Sequence, residues 1–543
     1  MKLKIRTILF ILVAALIAAG SAYSFRKTRP KFQGQIMGAS YKSGHLLREG
    51  KFPDPSSTSH AQVVIVGGGI AGLSAAWKLQ KSGFHDFLIL ELESQLGGNS
   101  QGGENEISAY PWGAHYVTLP SPEATYAREL FQELGIITGY AKNGLPIYNE
   151  TYLCSDPEER LYISGRWQDG LLPQTGISAR DREEYLQFFK AMDGFRAAKG
   201  ADGKKAFCIP LAFSSQDPKF IAYDRMSMAG FMDQHHWNSP FLRWYVNYCC
   251  RDDYGTTMDK VSAWAGIHYF AAHNGHGANA VENAVLTWPE GNAWLAKRLA
   301  EKVGASSKTG SLVYNVEQKG DRCFVDYLDL SSQKSERVVC SAVIFAAPRF
   351  VAGHVIRELR EKPPAYLRSF SYAPWMVANV SVDEIPKSEG VPPAWDNVFY
   401  DSPSLGYVVA THQKIERYPS SKTVLTYYWP LSDKEPQVAR QEALGRSYKE
   451  WADLAVNDLN RAHPGIEDKI HHLDVWIWGH GMIRPLPGFI WGEDRKKAAR
   501  PLGSIYFANS DMSGISIFEE AQYQGVEAAK RLMRHLGSPK ENP

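Results

Sequence analysis

A chain of 543 residues is too long for one simple domain, and two domains with additions is the expected build. Hydrophobic residues at 44% and aromatic residues at 12% supply a large core and exclude a disordered chain. A formal charge of +2 with no Lys/Arg run argues against nucleic acid as a partner. The six cysteines, Cys154, Cys208, Cys249, Cys250, Cys323 and Cys340, show no C-x-x-C and no zinc spacing, so they read as buried free thiols.

At the N-terminus, Lys2, Lys4 and Arg6 precede an uncharged run from Thr7 to Phe25 rich in Ile, Leu, Val and Ala. Such a run is long enough to span a bilayer as a helix, and it also fits a secretory signal cut after small residues near Ala19 or Ala22. A retained anchor is the favoured reading, which predicts a protein that is membrane-associated through residues 1–25, or else exported. Residues 26–60, with Pro30, Pro53, Pro55 and several serines, read as a linker.

The strongest signal runs from Gln62 to Glu91. A β-branched run, Val63 to Val66, predicts a buried parallel strand. Gly67, Gly69 and Gly72 follow in G-x-G-x-x-G register, with Gly68, Ile70 and Ala71 between them, and open an Ala-rich helix that ends near Lys81. The first glycine permits the tight turn, the second lets backbone approach a pyrophosphate, and the third lets the helix pack on the sheet. The helix N-terminus adds free amides and partial positive charge. A second strand, Phe87 to Leu90, ends on Glu91, about twenty residues past the last glycine, where an acid meets the adenosine ribose. Gly97 and Gly98 would bring further amides close to a bound cofactor. In YPWGAHY, Gly113 would let backbone pass a planar ring, with His115 beside it as a candidate catalytic residue or a satisfied core histidine.

Between Val63 and Val117 the chain resembles the flavin-containing amine oxidase superfamily, which also includes protoporphyrinogen oxidases and, more distantly, phytoene desaturases. The resemblance implies FAD, with Glu91 on its ribose and Gly97-Gly98 as the family's paired glycines. Asn99 stands where the family usually has Arg, and Trp112-Gly113-Ala114 matches its "leucine-glycine-alanine" turn.

Residues from about 120 to 280 resemble the superfamily's helical insertion over the substrate cavity. There Asp224 or Ser227 caps a predicted helix, and Arg251-Asp252-Asp253 reads as a solvated charge cluster, with a functional turn as the alternative. His268, His273 and His276 have no carboxylate or cysteine to complete a ligand set, so no metal is expected. Gly291 matches the family turn on re-entry to the cofactor domain, and the resemblance places Val313 at the adenine. Val377 to Val380 holds no lysine where many family amine oxidases carry one near the flavin. Trp478 and His480 are candidate catalytic residues in the cavity, with Arg484 a further candidate cavity residue, and structural aromatics are the equal alternative. At the C-terminus Phe507-Ala508 matches the family's last motif, Asn509 and Ser510 replace its Gly-Glu, and Asp511 would meet the ribitol instead. Glu520, Ala521 and Gly525 fall on the helix expected to face the flavin O2.

The expected fold is therefore α/β: a doubly wound, Rossmann-type FAD domain (61–120, 281–350, 496–543) interleaved with a mixed-sheet and helical substrate domain (121–280, 351–495). The expected function is an oxidoreductase that takes hydride from an amine, or a similarly activated C–H, onto non-covalent FAD, then passes electrons to oxygen or a membrane acceptor. Two other readings stand beside it. One is a desaturase of a carotenoid- or porphyrinogen-like substrate, and the other a non-catalytic, FAD-stabilised membrane scaffold.

Overall fold

The computed structural model describes residues 32–304, 306–415 and 420–537. Its first described elements are strand β1 (Ile36–Gly38), helix α1 (Tyr41–Glu49), strand β2 (Ser57–His60), strand β3 (Val63–Val66), helix α2 (Ile70–Lys81) and strand β4 (Phe87–Leu90). Later elements are given by their residues.

A five-stranded parallel sheet forms the first layer, in the order Ser307–Lys308, β4, β3, Ala342–Phe345, Ile505–Phe507. All four residues of β3 are fully buried, which is why that strand reads as an unbroken apolar run. The face bearing Val63, Ile65 and Ile89 packs on α2, Ala293–Val303 and the C-terminal helix Phe518–His535. The opposite face, bearing Val64, Val66 and Leu90, is covered by a four-stranded sheet that includes Ser311–Lys319 and Lys334–Cys340.

An eight-stranded mixed sheet forms the second body, with Tyr372–Val382 between Ile470–Ile483 and Thr423–Pro430. Helices Ala179–Ala197, Pro240–Tyr254 and Ala263–Ala272 pack into a core with Trp375, Val398, Tyr428, Trp476 and Trp478 of that sheet. The chain thus has the expected α/β class, built as one parallel-sheet body and one mixed-sheet body joined through a shared crevice.

Two expectations about the N-terminal region change. From Ile36 onward the predicted linker is built into the fold: β1 pairs parallel with Val475–Ile477, and β2 pairs parallel with Glu336–Val339. Strands of three and four residues carry no readable periodicity, and they exist here because longer strands offer them an edge. The expected membrane association is also corrected. Among the described residues no helix is long and apolar enough to cross a membrane. The 1–25 segment on which that expectation rested lies outside the described residues.

Candidate functional site

The crevice begins where β3 runs out. Gly67 turns the chain at φ 102°, and its amide donates to Leu90 O at 2.9 Å. A Cβ at Gly72 would lie 2.0 Å from Gly67 O, so only glycine lets α2 start this close to the strand. Gly69 differs, because a Cβ there would meet only Gly98 Cα, at 3.8 Å. Backbone is therefore bare on that side, and no side chain caps the first turn of α2. Ile70 and Ala71 are buried behind it.

Gly97 and Gly98, at φ 127° and 58°, fold against this turn, and Gly97 N donates to Gly68 O at 2.9 Å. Glu91 is buried beneath them. Its Oε2 accepts the Gly68 amide at 2.6 Å and its Oε1 the Glu93 amide at 2.8 Å. Burial pushes the Glu91 carboxyl above its usual range, although those amides oppose the shift. Val313 lies buried close by, since Ser311 N donates to Glu91 O at 2.7 Å. The bare glycine backbone, an uncapped helix start and a buried acid at the end of the second strand fit a dinucleotide.

Further along the crevice the Asn99 amide group donates to Gly481 O, and Asn99 O accepts the Ala114 amide at 3.2 Å. A Cβ at Gly113 would meet Asn99 O at 2.3 Å, so the two loops pack backbone on backbone. Asp511 is buried at the far end, where its Oδ2 accepts the Arg349 amide at 2.7 Å and the Tyr372 hydroxyl at 2.5 Å. Burial raises its carboxyl to about 6. Ala521 sits in the first turn of the C-terminal helix. Gly525 instead faces α2, where a Cβ would meet Ala71 O at 2.1 Å.

The three candidate catalytic residues occupy different places. His115 stacks on Tyr428 at 4.6 Å, with Tyr116 at 5.1 Å and Trp395 at 5.5 Å. Burial pushes its imidazole down to about 4. Trp478 props the same loop from behind, its Nε1 donating to Trp112 O at 2.6 Å. His480 stacks on Phe350 at 4.3 Å near Tyr372, so it belongs to the Asp511 end of the crevice.

Beside His115 lies a group of which the sequence marked only Asp252, as part of a charge cluster or a functional turn. Tyr116 donates to Asp252 Oδ2 at 3.4 Å, and Tyr248 donates to Asp396 Oδ2 at 3.2 Å. Asp396 stands directly opposite Glu159 in a parallel strand pair. Like charges in that relation destabilise a sheet. Burial raises Asp252 to about 6 and Glu159 to about 7, and it lifts Asp396 well above its usual range. By accessible surface Asp252 and Asp396 are half-buried, whereas Glu159 is exposed. No basic side chain forms an ion pair with these three carboxylates among the described residues. Tyr245, Tyr269 and Trp395 complete a wall of aromatics, and a cavity of about 430 Å³ lined by Trp244, Tyr248 and Tyr400 adjoins it. Arg251 also lines that cavity, its guanidinium bonded to Ser432 and to Pro403 O.

A signal for this group was available. Tyr245, Tyr248 and Asp252 fall at helical spacing on one face of Pro240–Tyr254, and an acid that ends an aromatic stripe is not a solvated one. Asp396 had no such signal. His268 bonds Cys208 O at 3.0 Å, and no metal-holding group of three or more His, Cys, Asp or Glu occurs among the described residues.

Similarity to known proteins agrees with this geometry. Residues 65–134 match the model of an NAD(P)-binding Rossmann-like domain. A flavin-containing amine oxidase of Oncorhynchus mykiss is 24% identical over 306 residues, covering 51% of this chain and 49% of that one. The chain spans about half the length of the curated amine oxidases it matches. Among solved structures, putrescine oxidase bound to putrescine superposes with a TM-score of 0.63 at 16% identity, covering 88% of this chain and 100% of that one. Cyclohexylamine oxidase from Brevibacterium oxydans IH-35A gives 0.62 at 15% identity over the same shares, 88% and 100%. The molecule thus joins a parallel-sheet body, with its bare glycine turn, to a mixed-sheet body through contacts such as Asn99 with Gly481 and Trp478 with Trp112. Its fold is that of the flavin-containing amine oxidase superfamily.

Proposed function

We propose that this chain is an FAD-dependent oxidoreductase that oxidises a small cationic amine, with oxygen as the electron acceptor. The observation that carries the reading is the pair of half-buried carboxylates Asp252 and Asp396, each bonded by a tyrosine and with no ion-pair partner among the described residues, close to the loop carrying Gly113 and His115. Burying several carboxylates together is costly, and a cation among them offsets that cost. Tyrosine and tryptophan faces add cation–π attraction. An apolar carotenoid would leave those acids unpaired, and a porphyrinogen would bring further carboxylates, so the amine is favoured over both.

In this reading Gly67 to Gly72, Glu91, Gly97, Gly98, Gly113, Ala114, Val313, Asp511 and Ala521 hold the FAD non-covalently. When bound, FAD supplies the two-electron acceptor for conversion of an amine to an imine. The residues of the chain do the rest. Asp252 and Asp396 anchor the cationic end of the substrate, and Tyr116 and Tyr248 hold those carboxylates in place. His115, neutral at pH 7, adds no repulsion and fixes the Tyr428 ring by stacking. Tyr428 in turn braces Gly113, donating to its carbonyl at 2.9 Å. The aromatic walls exclude water from the reacting carbon.

The test is anaerobic mixing of the purified protein with primary monoamines, diamines and their neutral alcohol counterparts. Bleaching of the flavin absorbance by amines alone is the expected result. Bleaching by none of them, or equally by the alcohols, removes the assignment.

A further inference from the structure

The segment from Glu91 to Gln101 carries no basic side chain. A dinucleotide nevertheless brings a doubly charged diphosphate into the crevice beside it, and a helix N-terminus offers only about half a charge. The missing charge stands on α1. This helix starts over the acidic end of the crevice, where the Ser40 amide and hydroxyl each donate to the Glu93 carboxylate at 2.8 Å. A Cβ at Gly44 would touch Leu92 at 3.8 Å, and Leu47 packs on the core that holds Leu90, Phe345 and Phe507. His45 and Arg48, three residues apart, share one face of the helix.

Beyond α1 comes His480, whose neighbour Gly481 takes the Asn99 amide group. The helix thus starts at Glu93 and carries Arg48 to within electrostatic reach of His480, next to the Gly481 that meets Asn99. Arg440 joins from the second body, its Nη1 donating to Tyr372 O at 3.1 Å and Gly479 O at 3.4 Å. Burial, then the fields of Arg440, Arg48 and His45, hold the His480 imidazole down to about 3. Burial first, and then Arg48, also depresses Arg440, His354 and His45. Among the described residues neither Arg48 nor Arg440 forms an ion pair. These cations repel one another, and an anion among them would relieve the strain.

We propose that α1 is a diphosphate clamp, in which Arg48, backed by Arg440 and flanked by His45 and His480, neutralises the diphosphate of bound FAD in place of a basic residue in the 91–101 loop. The proposal rests on the FAD reading above. It assigns to the region before the glycine loop a binding role set by charge.

The experiment follows release of FAD from the full-length holoprotein by flavin fluorescence after dilution into rising salt, for the parent, Arg48→Gln, Arg48→Lys and the double variant His45→Asn/Arg48→Gln. Equilibrium dialysis with riboflavin, which has no diphosphate, runs in parallel. Arg48→Gln should release FAD at least tenfold faster at low salt, the double variant faster still, and Arg48→Lys should stay close to the parent. The differences should shrink at high salt, because screening weakens exposed charges, and riboflavin retention should be unchanged. FAD release from Arg48→Gln and the double variant within twofold of the parent overturns the clamp. So does a loss of riboflavin as large as the loss of FAD, which would make α1 a simple cover. A parent protein that binds no flavin would remove the FAD reading and the clamp together, whereas the first two results would remove the clamp alone.

Discussion

Glu91 accepts the amide of Gly68 at 2.6 Å, so the acid at the end of the second strand also ties down the glycine turn at the end of the first. One carboxylate holds both walls of the crevice, and its remaining lone pairs are free for ribose hydroxyls. Glu91→Ala should therefore weaken FAD binding by about 1.5–3 kcal/mol, the range for hydrogen bonds to a charged group. Flavin retention measured by equilibrium dialysis decides it, and an unchanged affinity would move the ribose contact elsewhere.

The two inner glycines of the loop should fail in different ways. A methyl at Gly72 meets the Gly67 carbonyl at 2.0 Å, so Gly72→Ala should lower the melting temperature or abolish folding. A methyl at Gly69 meets nothing nearer than 3.8 Å, so Gly69→Ala should fold and melt close to the parent while losing flavin. Melting curves beside absorbance spectra separate the two. A Gly69→Ala protein as yellow as the parent would show that no phosphate approaches there.

Stability should respond to pH through the buried acids. The folded-state pKa of Asp252 is raised to about 6, so the folded protein keeps a proton that the unfolded chain gives up near its ordinary value. Where the folded state binds more protons, stability falls as pH rises. Asp252→Asn should thus match the parent below about pH 4, gain on it as pH climbs toward 6, and hold a constant advantage above that. The same substitution should weaken amine binding. Melting temperatures across this range give the first result, and an advantage that does not grow with pH would place Asp252 in bulk solvent.

The flavin should come off intact. All six cysteines are buried, and none lies beyond Cys340, so the C-terminal segment near Asp511 offers no thiol for a thioether. Acid precipitation should leave a white pellet under a yellow supernatant. A pellet that stays yellow and fluorescent would mean a covalent link through another residue.

The parts legible in the sequence were those whose chemistry is local. The turn at Gly67, the close packing at Gly72 and the acid at Glu91 lie within one βαβ unit, where spacing alone sets the geometry. His115 was marked by its neighbours in YPWGAHY. The proximity of Asp252 and Asp396 was not legible, because one sits on a helix and the other on a strand far along the chain, and only tertiary packing brings them together. The region before Val63 misled for the opposite reason. Its prolines and serines are real breaks, yet β1 and β2 gain order from partners at Val475–Ile477 and Glu336–Val339.

Those two pairings have a mechanical consequence. One short stretch, Ile36 to His60, contributes a strand to each of the two main bodies, with α1 slung between. The stretch is in effect a strap stitched to each body by backbone hydrogen bonds, so any movement between them would have to be taken up in the residues that flank α1.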